Sequence, residues 1–148
     1  MNNWSIGKRI SYATAAAGLL DIGMAAITAN AKGRAVAEML RSVASGPFPG
    51  ASKWGDLGSV VGLVVHFAIM GVMAAVFMFV RERSSWLRAH SLVGGAIYGV
   101  ILWLVMYGLV LPLRFGAPFP SPNPVEILLQ LFAHVVLVGL TIGWVSKR

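Results

Sequence analysis

The chain contains no cysteine, which removes disulfides, thiolate metal sites and thiol nucleophiles from consideration. Charge is nearly as scarce: only 11% of the 148 residues are Asp, Glu, Lys or Arg, where a soluble domain carries about a quarter. HExxH, GxSxG and a phosphate-cradling glycine loop are all missing, and there is no second cluster of carboxylates. No enzymatic activity is therefore expected. What remains is apolar, with 57% hydrophobic residues and a mean hydropathy of +0.77. That balance places the chain in the membrane class.

Four stretches, about 10–29, 57–80, 92–113 and 125–145, reach the roughly 20 apolar residues that a helix needs to cross a bilayer. They predict an all-α membrane protein, a four-transmembrane-helix up-down bundle forming a single domain over residues 1–148. Lys8 and Arg9, an apolar run and Ala29-Asn30-Ala31 resemble a signal peptide. The run is longer than a signal core and Asp21 interrupts it, so a retained first span is expected. In the first loop, Val36, Leu40 and Val43 recur at helical spacing, with Arg34, Glu38 and Arg41 elsewhere. The segment from Gly33 to Ser45 reads as a short amphipathic helix in the headgroup plane, with a solvated loop as the alternative.

The net charge of +7 reflects basic residues at helix ends, so the partner it implies is the lipid bilayer and not nucleic acid. Lys8, Arg9, Arg81, Arg83, Arg88, Lys147 and Arg148 fall on one side, against Lys32, Arg34, Arg41, Lys53 and Arg114 on the other. This bias places both termini in the cytoplasm. Trp4, Trp54, Trp86 and Trp144 sit near predicted span boundaries, as an aromatic belt does.

Asn123-Pro124-Val125-Glu126 is a helix start signal, and Asn123 and Glu126 read as structural caps of the fourth span. Asp56 reads as the cap of the second. Gly58 and Gly62, and Gly95 and Gly99, are GxxxG pairs that let helices approach closely. His66 with Gly71 and His134 with Gly139 share a spacing, and each follows a Pro-Phe-Pro connection. This suggests two helical hairpins in a parallel repeat, with coincidence as the alternative.

Ionisable residues inside the spans are the candidates for a site. Asp21, His66 and His134 all fall roughly 12 to 15 Å below the outer rim of their helices, at 1.5 Å per residue. Glu126, Gln130, His134, Val138 and Thr141 share one helical face; Thr14, Gly18, Asp21, Ala25 and Thr28 share another, and Ser59, Gly62, His66, Ile69 and Met73 a third. In the third span, Tyr107 and Trp103 lie nearest this layer. The expected cluster is Asp21, His66 and His134, supported by Gln130 and Tyr107.

An Asp–His pair can hold and pass a proton, so the leading expectation is proton-linked binding or movement of a small solute or ion. One alternative is a b-type haem held by His66 and His134 in an electron-transfer protein. Another is a structural membrane subunit, in which the same residues serve as interhelical glue. Either a homo-oligomer or another membrane subunit is a candidate partner. Asp21 and the two histidines have metal-ligand types but no spacing motif, so no metal site is assigned. Met24, Met70, Met73 and Met106 are read as packing and not as copper ligands.

The runs Ala17-Gly18-Leu19-Leu20-Asp21-Ile22, Val43-Ala44-Ser45-Gly46, Val65-His66-Phe67-Ala68-Ile69, Tyr98-Gly99-Val100 with Val110-Leu111-Pro112-Leu113, and His134 before Leu137-Val138-Gly139-Leu140 together resemble a family of small four-helix bacterial inner-membrane proteins of unknown function. More loosely, the chain is similar to YagU-like inner-membrane proteins. The resemblance implies four spans in a bacterial inner membrane and supplies no substrate, cofactor or catalytic residue. It suggests that Asp21, His66 and His134 belong together. The chain departs from that pattern at Ala51-Ser52-Lys53-Trp54, where a more glycine-rich loop is expected, and at Tyr107-Gly108, where the third helix would carry Asn.

Overall fold

The computed structural model describes residues 4–148. Four helices are long and apolar enough to cross a membrane: α1 (Ile6–Ala31), α3 (Gly55–Arg83), α5 (Ser91–Phe115) and α6 (Pro124–Val145). Two shorter helices join them, α2 (Val36–Ala44) between α1 and α3, and α4 (Ser85–Ala89) between α3 and α5. No strand occurs among the described residues. Leu20, Ile27, Val64, Val72 and Leu128 stand exposed on the flanks, the reverse of a water-soluble surface and the correct one for lipid.

Contacts between spans run antiparallel. Gly18 of α1 meets His66 of α3, Tyr98 of α5 meets Met73 of α3, and Trp103 of α5 meets Gln130 of α6. The result is an up-down bundle with two distinct ends. One end, the terminus-side end, carries the start of α1, the end of α6 and α4, tied by Arg9 to Glu82 at 2.8 Å and Arg81 to Ser91 at 3.0 Å. The other carries α2 and the loop before α6, tied by Lys32 to Glu126.

Small residues decide which spans touch. On α5, a Cβ at Gly95 or Gly99 would strike the α6 backbone at Gly139 and His134, and one at Gly143 would strike Ser91. The α5–α6 seam therefore lets two backbones into direct contact. The second GxxxG pair does something else. Gly58 and Gly62 seat α2 and its connection, since a Cβ there would overlap the carbonyls of Ala51 and Leu40. The Ser59 hydroxyl also donates to the Ala37 carbonyl at 3.1 Å. A nine-residue helix is too short to persist alone, so α2 owes its order to this docking. It lies against the first turns of α3, burying Met39 and Ala44. Arg114 at the end of α5 donates to the carbonyls of Ser45 and Gly46, each at 2.8 Å, satisfying groups that the end of α2 leaves open.

Two segments depart from α-helical hydrogen bonding and pass through π turns, Met106–Val110 in α5 and Phe132–Leu140 in α6. The first has a visible cause. Pro112 has no N–H for the Gly108 carbonyl and its ring crowds that carbonyl, so the turn before it must widen.

The expected caps need correction. Asn123 does cap α6, its side chain accepting from Val125 N. Asp56 is not a cap: Trp54 precedes the helix and Asp56 lies in the first turn, where its charge suits the helix dipole. Glu126 does not reach back to Asn123; its carboxylate takes Lys32 and the Ser121 hydroxyl, the latter at 2.8 Å. Nor do the two His-Gly pairs play equivalent parts. Gly139 packs on the Gly95 backbone, while Gly71 has only ordinary contact with Thr14.

Candidate functional site

The two halves of the bundle are packed differently. Ala13, Ala17, Ala74, Phe77, Met78 and Ile142 fill the terminus-side half as a continuous core. The other half holds a cavity of about 460 Å³, bounded by all four spans and α2. It reaches from Lys32, Arg34 and Glu126 down to Met70, Met73 and Val138. Asp21, His66, His134, Gln130 and Tyr107 all line it.

Deep in this cavity, away from the Lys32–Glu126 pair at its end, Asp21 and His66 face each other. Asp21 Oδ2 lies 3.9 Å from His66 Nδ1, with side chains 21% and 11% exposed. The other ring nitrogen, Nε2, is 3.0 Å from the Gly18 carbonyl. A carbonyl oxygen only accepts, so Nε2 carries a hydrogen and donates it. Gly18 also makes room for this arrangement: a Cβ there would lie 2.5 Å from the Phe67 ring, and that ring meets His66 edge-on at 5.3 Å. Asp21 and Gly18 are one turn apart on α1, so a single face of that helix bonds Nε2 of His66 and faces its Nδ1.

His134 sits in a separate group on the same cavity. Its Nδ1 is 3.1 Å from the Gln130 carbonyl, four residues back on α6, and therefore donates. Its ring meets Tyr107 edge-on at 5.5 Å. The Gln130 side-chain oxygen accepts from the Trp103 indole at 3.2 Å. Both π turns coincide with this group, Tyr107 in one and His134 in the other. Such turns re-aim side chains that a regular helix would point elsewhere. The expected cluster is thus resolved into a pair, Asp21 with His66, and a neighbouring set, His134 with Gln130 and Tyr107.

Several residues of the site escaped the sequence reading. Met39, Ser42 and Val43 contribute a wall from α2, which the amphipathic pattern gave no reason to point inward. Lys32 and Glu126 join the ends of α1 and α6 beside the cavity. Their common position at neighbouring ends of two spans was the available signal, and the capping explanation for Glu126 concealed it.

The donor set does not fit a haem bridging the two histidines. Nε2 of His66 donates to the Gly18 carbonyl and Nδ1 turns toward the Asp21 carboxylate, so iron on either nitrogen would have to displace one of these groups. Among the described residues, no group of three or more His, Asp or Glu side chains converges to hold a metal ion. No family model, no curated protein and no solved structure matches this chain.

Proposed function

We propose that this protein binds, and moves in a proton-linked way, a small solute or ion within the four-span cavity, with Asp21 and His66 as its proton-holding pair. The observation that carries this reading is the geometry of His66. With Nε2 donating to Gly18, a neutral ring would turn the bare lone pair of Nδ1 toward the Asp21 carboxylate. One further proton, on Nδ1 or on Asp21, replaces that repulsion with attraction. A ligand that takes the place of that proton beside Asp21 competes with it, and this competition is the linkage proposed here. A cavity of about 460 Å³ is in the range of about 300–1,000 Å³ that small-ligand sites occupy.

The chain is read as a bacterial inner-membrane protein with both termini in the cytoplasm, following the basic residues at the terminus-side end and the resemblance to small four-helix inner-membrane proteins. In that orientation the cavity faces the outer side and the packed half faces the cytoplasm. The function is binding or transport and involves no covalent chemistry.

The test is a thermal-stability screen of the purified protein in mild detergent. Alkali cations, small amines, amino acids, monocarboxylates and sugars are each tried at mildly acidic and mildly alkaline pH. A compound that stabilises the wild type in a pH-dependent way and does not stabilise folded Asp21→Asn supports the reading. A purely structural role is indicated if no compound shifts the wild type and Asp21→Asn changes stability alone.

A further inference from the structure

A second hollow, of about 180 Å³, lies between α3, α4 and α5 near the terminus-side end. Phe77, Val80, Trp86, Gly94, Ile97 and Ile101 are among its walls. Its lining is almost wholly carbon. Tyr98 also borders it, but its hydroxyl is engaged by the Met73 carbonyl at 2.9 Å. Gly94 helps to shape the hollow, because Leu87 of α4 leans into the space that a side chain there would fill.

The charges around the mouth of this groove are unbalanced. Arg83 at the end of α3 and Arg88 in the last turn of α4 are both exposed. Glu82 is the only acidic residue between Asp56 and Glu126 in the sequence, and it is already met by Arg9 at 2.8 Å and Arg81 at 3.6 Å. Arg88 uses one nitrogen on the Glu82 carbonyl and Arg83 one on the Phe79 carbonyl; neither is in an ion pair among the described residues, and in the chain Arg83 follows Val80 by three residues and Arg88 adjoins Leu87, both of which line the hollow. Trp86 stands half-exposed between them, stacked on His90 at 5.3 Å, as an interfacial tryptophan does. From Arg83 to Val76 the groove descends roughly 10 Å along α3.

We propose that this groove holds one anionic phospholipid, with an acyl chain along Val76, Phe77, Ile97 and Ile101 and the phosphate facing Arg83 and Arg88. The apolar groove alone would take any lipid chain; the two arginines give it the sign of its headgroup. Each is expected to favour an anionic lipid by about fivefold at the membrane surface. The site is separate from the polar cavity and does not depend on the function proposed for it.

The test reconstitutes the full chain in phosphatidylcholine vesicles containing a small share of lipid brominated on its acyl chains. That share is either phosphatidylglycerol or phosphatidylcholine. Trp86 emission is taken as the difference between the wild type and Trp86→Phe. Stronger quenching by brominated phosphatidylglycerol, lost in the exposed double variant Arg83→Gln/Arg88→Gln, is the expected result. Equal quenching by the two lipids overturns the proposal. Native mass spectrometry of the solubilised protein provides a readout independent of Trp86: a retained phosphatidylglycerol is expected on the wild type and not on the arginine variant, and equal retention on both refutes the site.

Discussion

Substituting alanine for Gly99 and for Gly23 makes one chemical change in two spans with opposite surroundings. A Cβ at Gly99 would lie 2.7 Å from the Val135 Cα and would overlap the His134 carbonyl oxygen. The first distance is 0.7 Å inside the 3.4 Å at which ordinary contact begins, and the obstacle is backbone, which has no rotamer to change. α6 must therefore shift by at least several tenths of an ångström. Overpacking of this kind costs about 1–3 kcal/mol, against a helical preference of Ala over Gly of up to about 1 kcal/mol. A Cβ at Gly23 meets nothing within 4 Å, so there the propensity gain stands alone. Reversible unfolding in mixed micelles should show Gly99→Ala destabilised by about 1–2 kcal/mol and Gly23→Ala unchanged or slightly more stable. Equal stability of the two variants would refute the claim that the α5–α6 seam is set by backbone contact. Because His134 contributes its own carbonyl to that seam, Gly99→Ala should also displace its ring from Tyr107.

Tyr98→Phe removes a hydrogen bond from α5 to the Met73 carbonyl on α3. It should lower stability by about 0.6–1 kcal/mol in the same unfolding assay, and a loss of several kcal/mol would mean that the hydroxyl does more than join two spans. Arg114→Ala deletes two donors from the carbonyls that follow α2. Hydrogen exchange should quicken across Val36–Ala44 while the spans keep their protection; unchanged exchange in α2 would show that docking on Gly58 and Gly62 suffices.

The sequence carries the spans well because hydropathy and helix length are both one-dimensional quantities. The helices extend past the apolar runs, as α3 does to Gly55 and Arg83, since charged side chains at a span's end can reach water. The depth of Asp21 and His66 along their helices was legible for the same reason, and the faces in part: Thr14, Gly18, Ser59, Gly62 and Thr141, read on the same three faces, do not border the cavity. Asp21, Ala25 and Thr28, His66, Ile69 and Met73, and Glu126, Gln130, His134 and Val138 all border the cavity. Which of the ionisable groups meet was not legible, because equal depth does not fix the rotation of one helix against another closely enough. The π turns at Tyr107 and His134 alter the rotation further by departing from the regular period. The docking of α2 was hidden because Gly58 and Gly62 look the same whether they receive a span or a nine-residue helix.

The measurement that bears most directly on the central claim is nitrogen NMR of the histidine rings in the wild type and in Asp21→Asn. The account expects His66 Nε2 to be protonated, bonded to Gly18, and the Nδ1 signal to respond to the Asp21 carboxylate that it faces. The Asp21→Asn variant should keep the first signal and change the second. A His66 ring with an unprotonated Nε2, or with Nδ1 signals indifferent to Asp21, would contradict it.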